Sequence, residues 1–177
     1  MLAVLAALSL LCSGCGDGSA PAGTATPGST PSSTPTSSTA PVVDAVAPGF
    51  TLATVDGQTV KLEELRGQPV FLTFWTTKCS ACRLQMPFVQ AAFEQKGTEV
   101  SFVAVNIMDS GETVQQFAED EGVGFTIALD SDAAVAIVYN VRYIPYNFLI
   151  DEQGVIRDVR IGAFGSTEEL LTALENL

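Results

Sequence analysis

Two pairs of cysteines share one spacing, Cys12-Ser13-Gly14-Cys15 and Cys79-Ser80-Ala81-Cys82, and no histidine accompanies them. Two thiols three positions apart can close a disulfide across one helical turn, or supply half of a metal site. The lack of histidine removes the commonest metal ligand and the commonest general base. A four-thiolate zinc ribbon would need both pairs in one fold. The first pair sits in a leader-like segment, so the two are not expected to meet, and no metal site is expected.

Context decides between redox chemistry and a static disulfide at the second pair. Phe74-Trp75-Thr76-Thr77-Lys78 closes an apolar run before Cys79, and a helix-compatible stretch follows. At a helix start the first sulfur faces unpaired backbone N–H groups and the positive end of the dipole. That environment favours the thiolate, the reactive form. The second thiol, one turn on, can displace a bound client from the first. Cys79 is therefore read as the nucleophile and Cys82 as the resolving thiol. Lys78 either adds to thiolate stabilisation or is an exposed loop lysine.

The elements that must position these thiols are legible from Val42 onward. Asp56-Gly57 between Phe50–Val55 and Gln58–Leu62 signals a hairpin. Leu62 to Gly67 reads as a short helical turn stopped by glycine. Pro69 to Trp75 is apolar on both faces, as a central strand should be. A helix is expected over Cys82–Lys96, kinked by Pro87 and ended by Gly97. Further strands are expected over Val100–Ile107, Thr126–Leu129, Asn147–Asp151 and Val155–Ile161. Helices are expected over Glu112–Glu121, Ala133–Tyr139 and Thr167–Asn176. This alternation predicts an α/β domain over 42–177 with a mainly parallel sheet and hairpin strands at its edges. A proline at 145, leading into an apolar strand, needs an edge, bulge or turn position. Were the Ile144–Pro145 bond cis, the Ile144 backbone would lie against the cysteines, where an extended client could pair with it.

The rest of the chain bears on location and partners. Twenty acidic against eight basic residues give a formal charge of −12, which argues against nucleic acid and against docking on anionic lipid. Met1 to Leu11 is apolar except for Ser9. That run is too short to span a bilayer and suits the core of a signal peptide over 1–15, although the basic residues usual before such a core are missing. Cys12-Ser13-Gly14-Cys15 resembles a bacterial lipoprotein processing site, with cleavage after Gly14 and lipid on Cys15; Cys12 stands where leucine is usual. Residues 16–41 are Ser, Thr, Pro, Gly and Ala with one charge, Asp17. With no large side chain to bury, they are expected to form a disordered tether.

Taken together, Phe74-Trp75, Cys79-x-x-Cys82, Met86-Pro87, Tyr139 to Pro145 and Phe148-Leu149-Ile150-Asp151-x-x-Gly154 resemble the TlpA/ResA-like branch of the thioredoxin superfamily. Asp56-Gly57 and Leu62-x-x-Leu65-Arg66-Gly67-x-Pro69-Val70 fit the same branch, and the similarity runs from about Ala47 to Leu177. The resemblance implies a thioredoxin-like fold, with a central mixed sheet flanked by helices, an N-terminal β-hairpin extension and an inserted helix–strand unit near Glu112 to Leu129. It implies dithiol–disulfide exchange outside the cytoplasm with exported thiol or disulfide proteins, apocytochrome c among them. A membrane dithiol donor of the CcdA/DsbD kind would supply electrons, and no nucleotide, flavin or metal cofactor would be needed. Trp75, Lys78, Gln85, Ile144 and Pro145 would shape the site. Three departures stand out: Lys78 where tryptophan is frequent, Gln85 where glutamate is common, and Thr73 where thioredoxin itself buries an aspartate. Tyr146 and Asn147 follow Pro145 in place of the usual threonine.

Three other readings remain on the sequence. A thiol peroxidase would use Thr76-x-x-Cys79 with an arginine near the sulfur, for which Arg142 is a weak candidate, but Leu72 stands where its proline is expected. A thioredoxin-like copper-delivery module would want wider cysteine spacing and a histidine. A redoxin-fold binding module with permanently paired cysteines is the inert alternative.

Overall fold

The computed structural model describes residues 41–177. The expected leader, Cys15 and all but the last residue of the expected tether lie outside the described residues. Two short strands, β1 (Thr51–Ala53) and β2 (Thr59–Lys61), form the hairpin, with Gly57 at φ +81° in its turn. A single 3-10 turn, Leu62–Leu65, leads to strand β3 (Val70–Trp75). Then follow α1 (Ser80–Lys96), β4 (Ser101–Ile107), α2 (Gly111–Glu121), β5 (Thr126–Asp130), α3 (Ala134–Val138), β6 (Tyr146–Ile150), β7 (Ile156–Ile161) and α4 (Thr167–Leu174).

The main sheet runs in the order β5-β4-β3-β6-β7. Strands β3, β4 and β5 are parallel, whereas β6 is antiparallel to both β3 and β7. The sheet is thus mixed, as the resemblance implied, where the alternation of elements alone pointed to a mainly parallel one. The reason is local: β6 and β7 are joined by a short turn, which only antiparallel strands accept. The β1–β2 hairpin forms its own two-stranded sheet and meets the edge of β5 through Thr54 opposite Ala128 and a Val55 N–H to Ile127 carbonyl bond.

Strand β3 lies in the centre, and all six of its residues are buried. Successive side chains alternate between faces. Phe71 and Trp75 join Cys82, Met86, Val89, Phe117, Phe164 and Leu170 in one core. Val70, Leu72 and Phe74 join Phe148, Ile150, Tyr139 and Phe50 in the other. The buried face of α1 therefore packs on the side of the sheet that carries Phe71, Thr73 and Trp75.

Helix ends follow their capping residues. Ser110 and Ser166 accept backbone N–H bonds at the starts of α2 and α4, each at 3.2 Å, and Gly122 takes the left-handed conformation that closes α2. Helix α1 begins at Ser80, two residues before the expected start, and continues through Pro87. The segment before β1 is stitched to the start of β7: Asp44 N–H to the Ile156 carbonyl, Ile156 N–H to that of Ala45, and Ala47 N–H to that of Gly154. Arg157 bridges Asp44 and Asp151, and the Tyr139 hydroxyl donates to the Pro48 carbonyl at 2.7 Å.

Candidate active site

Cys79 is the N-cap of α1, and Cys82 sits in its first turn. The two form a disulfide with their Cα atoms 5.2 Å apart. Their exposure differs: Cys82 is wholly buried and Cys79 is partly open. The Cys82 backbone N–H points at Cys79 Sγ from 3.1 Å. An N–H donor there, together with the helix start, favours negative charge on that sulfur once the pair is reduced.

Across from the sulfur lies the Ile144–Pro145 segment. Its peptide bond is cis, the arrangement the sequence raised without being able to decide. The Ile144 carbonyl oxygen is 3.7 Å from Cys79 Sγ. A disulfide sulfur carries no proton, so this is a close approach rather than a hydrogen bond. Pro145 is buried, and its own carbonyl accepts from the Gly162 N–H at 2.8 Å.

The three departures from the family pattern meet different fates. Lys78 is exposed, and its charge acts on Asp109. Gln85 and Thr73 come together: Gln85 Nε2 donates to Thr73 Oγ1 at 3.3 Å and to Asn147 Oδ1 at 3.0 Å. Where an acid could have stood, the buried side of the thiol pair has a neutral amide network. Trp75 is fully buried, its ring 4.8 Å from that of Phe117, and its indole N–H has no hydrogen-bond partner among the described residues. Arg142 is exposed and its Nε donates to Asn140 Oδ1.

Sequence reasoning missed Asp109. Its Oδ2 accepts from the Thr77 N–H at 2.7 Å and from Asn106 Nδ2 at 3.1 Å, fastening the loop that leads into Cys79. Partial burial pushes this carboxyl upward. The bonds from Thr77 and Asn106, with the Lys78 charge, outweigh it and hold the pKa below the ordinary aspartate value. The signal was available: Asn106-x-x-Asp109 ends an apolar strand where polar groups have a reason to be. A depressed folded-state pKa means stability present above the unfolded carboxyl pKa of about 3.9 and lost as pH falls through the lower folded value. Asp109→Ala is expected to lose about 1 kcal/mol at pH 7, the small end for a charged hydrogen bond because the site is partly solvated. In urea titrations the gap from wild type should narrow toward pH 3; an equal gap at both would remove the charge from the explanation.

Among the described residues, no cluster of three or more His, Cys, Asp or Glu side chains could hold a metal ion. No described helix is long and apolar enough to cross a membrane.

A redox pair at a helix start, under a strand-leading proline, is the arrangement against which relatives can be compared. The AhpC/TSA family matches residues 43–159, well over half of the chain. The chain belongs to that family. The thiol-disulfide oxidoreductase ResA of Bacillus subtilis is 35% identical over 132 residues, which cover 74% of this chain and 73% of that protein. The crystal structure of StoA from Bacillus subtilis superposes with a TM-score of 0.62 at 29% identity, covering 71% of this chain and 96% of StoA. A secreted Mycobacterium tuberculosis disulfide oxidoreductase homologous to E. coli DsbE superposes with a TM-score of 0.67 at 25% identity, covering 72% and 96%. The chain is a ResA-like thiol-disulfide oxidoreductase of the thioredoxin superfamily.

Proposed function

We propose that this enzyme reduces disulfides of exported proteins through Cys79, with Cys82 as the resolving thiol. The observation that carries the reading is the asymmetry of the pair: a partly open Cys79 sulfur at the helix start, a sealed Cys82 behind it, and the Ile144 carbonyl 3.7 Å away. In the reduced enzyme the Cys79 thiolate attacks one sulfur of a client disulfide. A Cys79–client bond forms, and the other client sulfur leaves as a thiolate and takes up a proton. Cys82, having lost its proton, then attacks Cys79 and releases the second client thiol. The client gains two electrons and the Cys79–Cys82 disulfide is restored.

The remaining assignments follow from the chain's N-terminus and its relatives. Residues 1–15 act as a signal peptide with lipid added at Cys15, 16–41 as a tether, and 42–177 as the catalytic domain on the outer face of the cell membrane. One structural relative is itself described as secreted. Apocytochrome c is the favoured client, and a CcdA/DsbD-like membrane protein returns electrons. Trp75, Lys78, Gln85, Ile144 and Pro145 shape the groove.

Cys82→Ser tests the reading. It removes the resolving thiol and leaves the attack intact, so disulfide-linked client adducts should accumulate on Cys79 and be readable by mass spectrometry after thiol blocking. A variant that forms adducts no more than wild type does would refute the assigned order of attack.

A further inference from the structure

Two buried amides stand at the centre of five hydrogen bonds. Gln85 Nε2 donates to Thr73 Oγ1 and Asn147 Oδ1, and Gln85 Oε1 accepts from the Phe164 N–H at 3.0 Å. Asn147 Nδ2 donates to the Gly162 carbonyl at 2.9 Å and to the Arg160 carbonyl at 3.4 Å. The orientation of each amide follows from its partners. A carbonyl oxygen only accepts, so Nδ2 must face Gly162 and Arg160, and Oδ1 is left to face Gln85. Neither side chain has exposed surface. A bond lost here is not readily replaced by one to water.

The network begins on the helix that carries the thiols and ends on the backbone opposite them. Gln85 lies three residues after Cys82 on the buried face of α1. Asn147 faces Thr73 across the β3–β6 pairing and grips Gly162 through its carbonyl. Gly162 in turn donates its N–H to Pro145. Pro145 follows Ile144, whose carbonyl approaches Cys79. Asn147 is therefore the joint between the sulfur-bearing helix and the segment across the groove.

We propose that Asn147 is a positioning residue for polypeptide clients: through Gly162 it sets the Ile144–Pro145 backbone at the height and angle that align an extended client's disulfide with Cys79. The inference rests on the exchange reading above and predicts something that reading does not. A small disulfide needs only the sulfur. A polypeptide also needs the groove. Losing Asn147 should separate the two.

The comparison uses the full chain in reduced form, with two substrates: 2-hydroxyethyl disulfide, and a short peptide whose one cysteine is capped as a mixed disulfide with glutathione. Asn147→Ala removes the whole amide. Asn147→Thr is the milder change, because a β-branched side chain suits strand β6. In both variants the peptide KM is expected to rise roughly tenfold or more, within the hundredfold or so that a misplacement near 1 Å can cost. The rate with 2-hydroxyethyl disulfide, and the equilibrium constant of the Cys79–Cys82 pair with glutathione, should each change by no more than about twofold. Equal losses on both substrates would make Asn147 merely structural and overturn the proposal, as would an unchanged peptide KM in both variants. A wild-type chain inert toward 2-hydroxyethyl disulfide would overturn the exchange reading itself, and this inference with it.

Discussion

Cys79→Ser should lower disulfide exchange to the uncatalysed background on every substrate, while leaving the fold in place. The chemistry demands the first half of that statement. A serine hydroxyl cannot form the S–S bond through which electrons pass, and Cys82 is sealed from solvent. The cap geometry supports the second half. Cys79 is the N-cap of α1 and accepts the Cys82 N–H; serine is among the preferred residues for that task. The variant also loses the disulfide, whose four-residue loop is worth roughly 2 kcal/mol in the chain-entropy picture. It should therefore be compared with reduced wild type, and the two should unfold at similar urea concentrations. Exchange above background in Cys79→Ser, at matched stability, would transfer the nucleophile's role elsewhere.

The largest loss of stability is expected at Trp75. It ends the central strand, has no exposed surface, and packs on Phe117 in the core that also holds Cys82. Removing a buried aromatic side chain loses its transfer free energy and leaves a cavity that neighbours fill only in part. Trp75→Ala should cost about 3–5 kcal/mol, a large fraction of the 5–15 kcal/mol or so that holds a typical domain together. Trp75→Phe is the informative partner. The indole N–H is buried without an acceptor among the described residues, an arrangement that itself costs about 1–3 kcal/mol. Phenylalanine discards that burden along with some volume, so the two effects oppose each other. The loss should be below about 2 kcal/mol by urea denaturation. A loss close to that of alanine would mean that the N–H has a partner in solution.

Much of the site was legible because it is local. The apolar run to Trp75, the Cys79-x-x-Cys82 spacing and the helix after it all lie within one stretch of chain. The hairpin glycine, Gly57, and the glycine closing α2, Gly122, are legible for the same reason, each from the few residues around it. What was not legible depends on strand order. Gln85 and Asn147 are 62 positions apart. They meet because β6 inserts beside β3 under the helix, and periodicity says nothing about which strand lies beside which. Thr77 and Asp109 meet for the same reason, since β3 and β4 end at the same level. Alternation of elements alone points to a mainly parallel sheet, because buried strands of both kinds read as continuous apolar runs; the family resemblance carries the mixed one. The start of α1 was placed late because Ser80 and Ala81 are ambiguous out of context, whereas the capping sulfur settles it. The leader, the lipid site and the tether remain assignments made on residue pattern alone.

The stitching of residues 44–47 onto the turn before β7 has a geometric corollary. That turn adjoins Ile150, which pairs with Val70 at the base of the central strand, whereas the sulfur lies beyond Trp75 at its summit. Six residues of extended chain, some 20 Å, separate the two levels. A load applied at residues 44–47 would therefore be borne by the foot of the domain, at the opposite end of the central strand from the reactive sulfur.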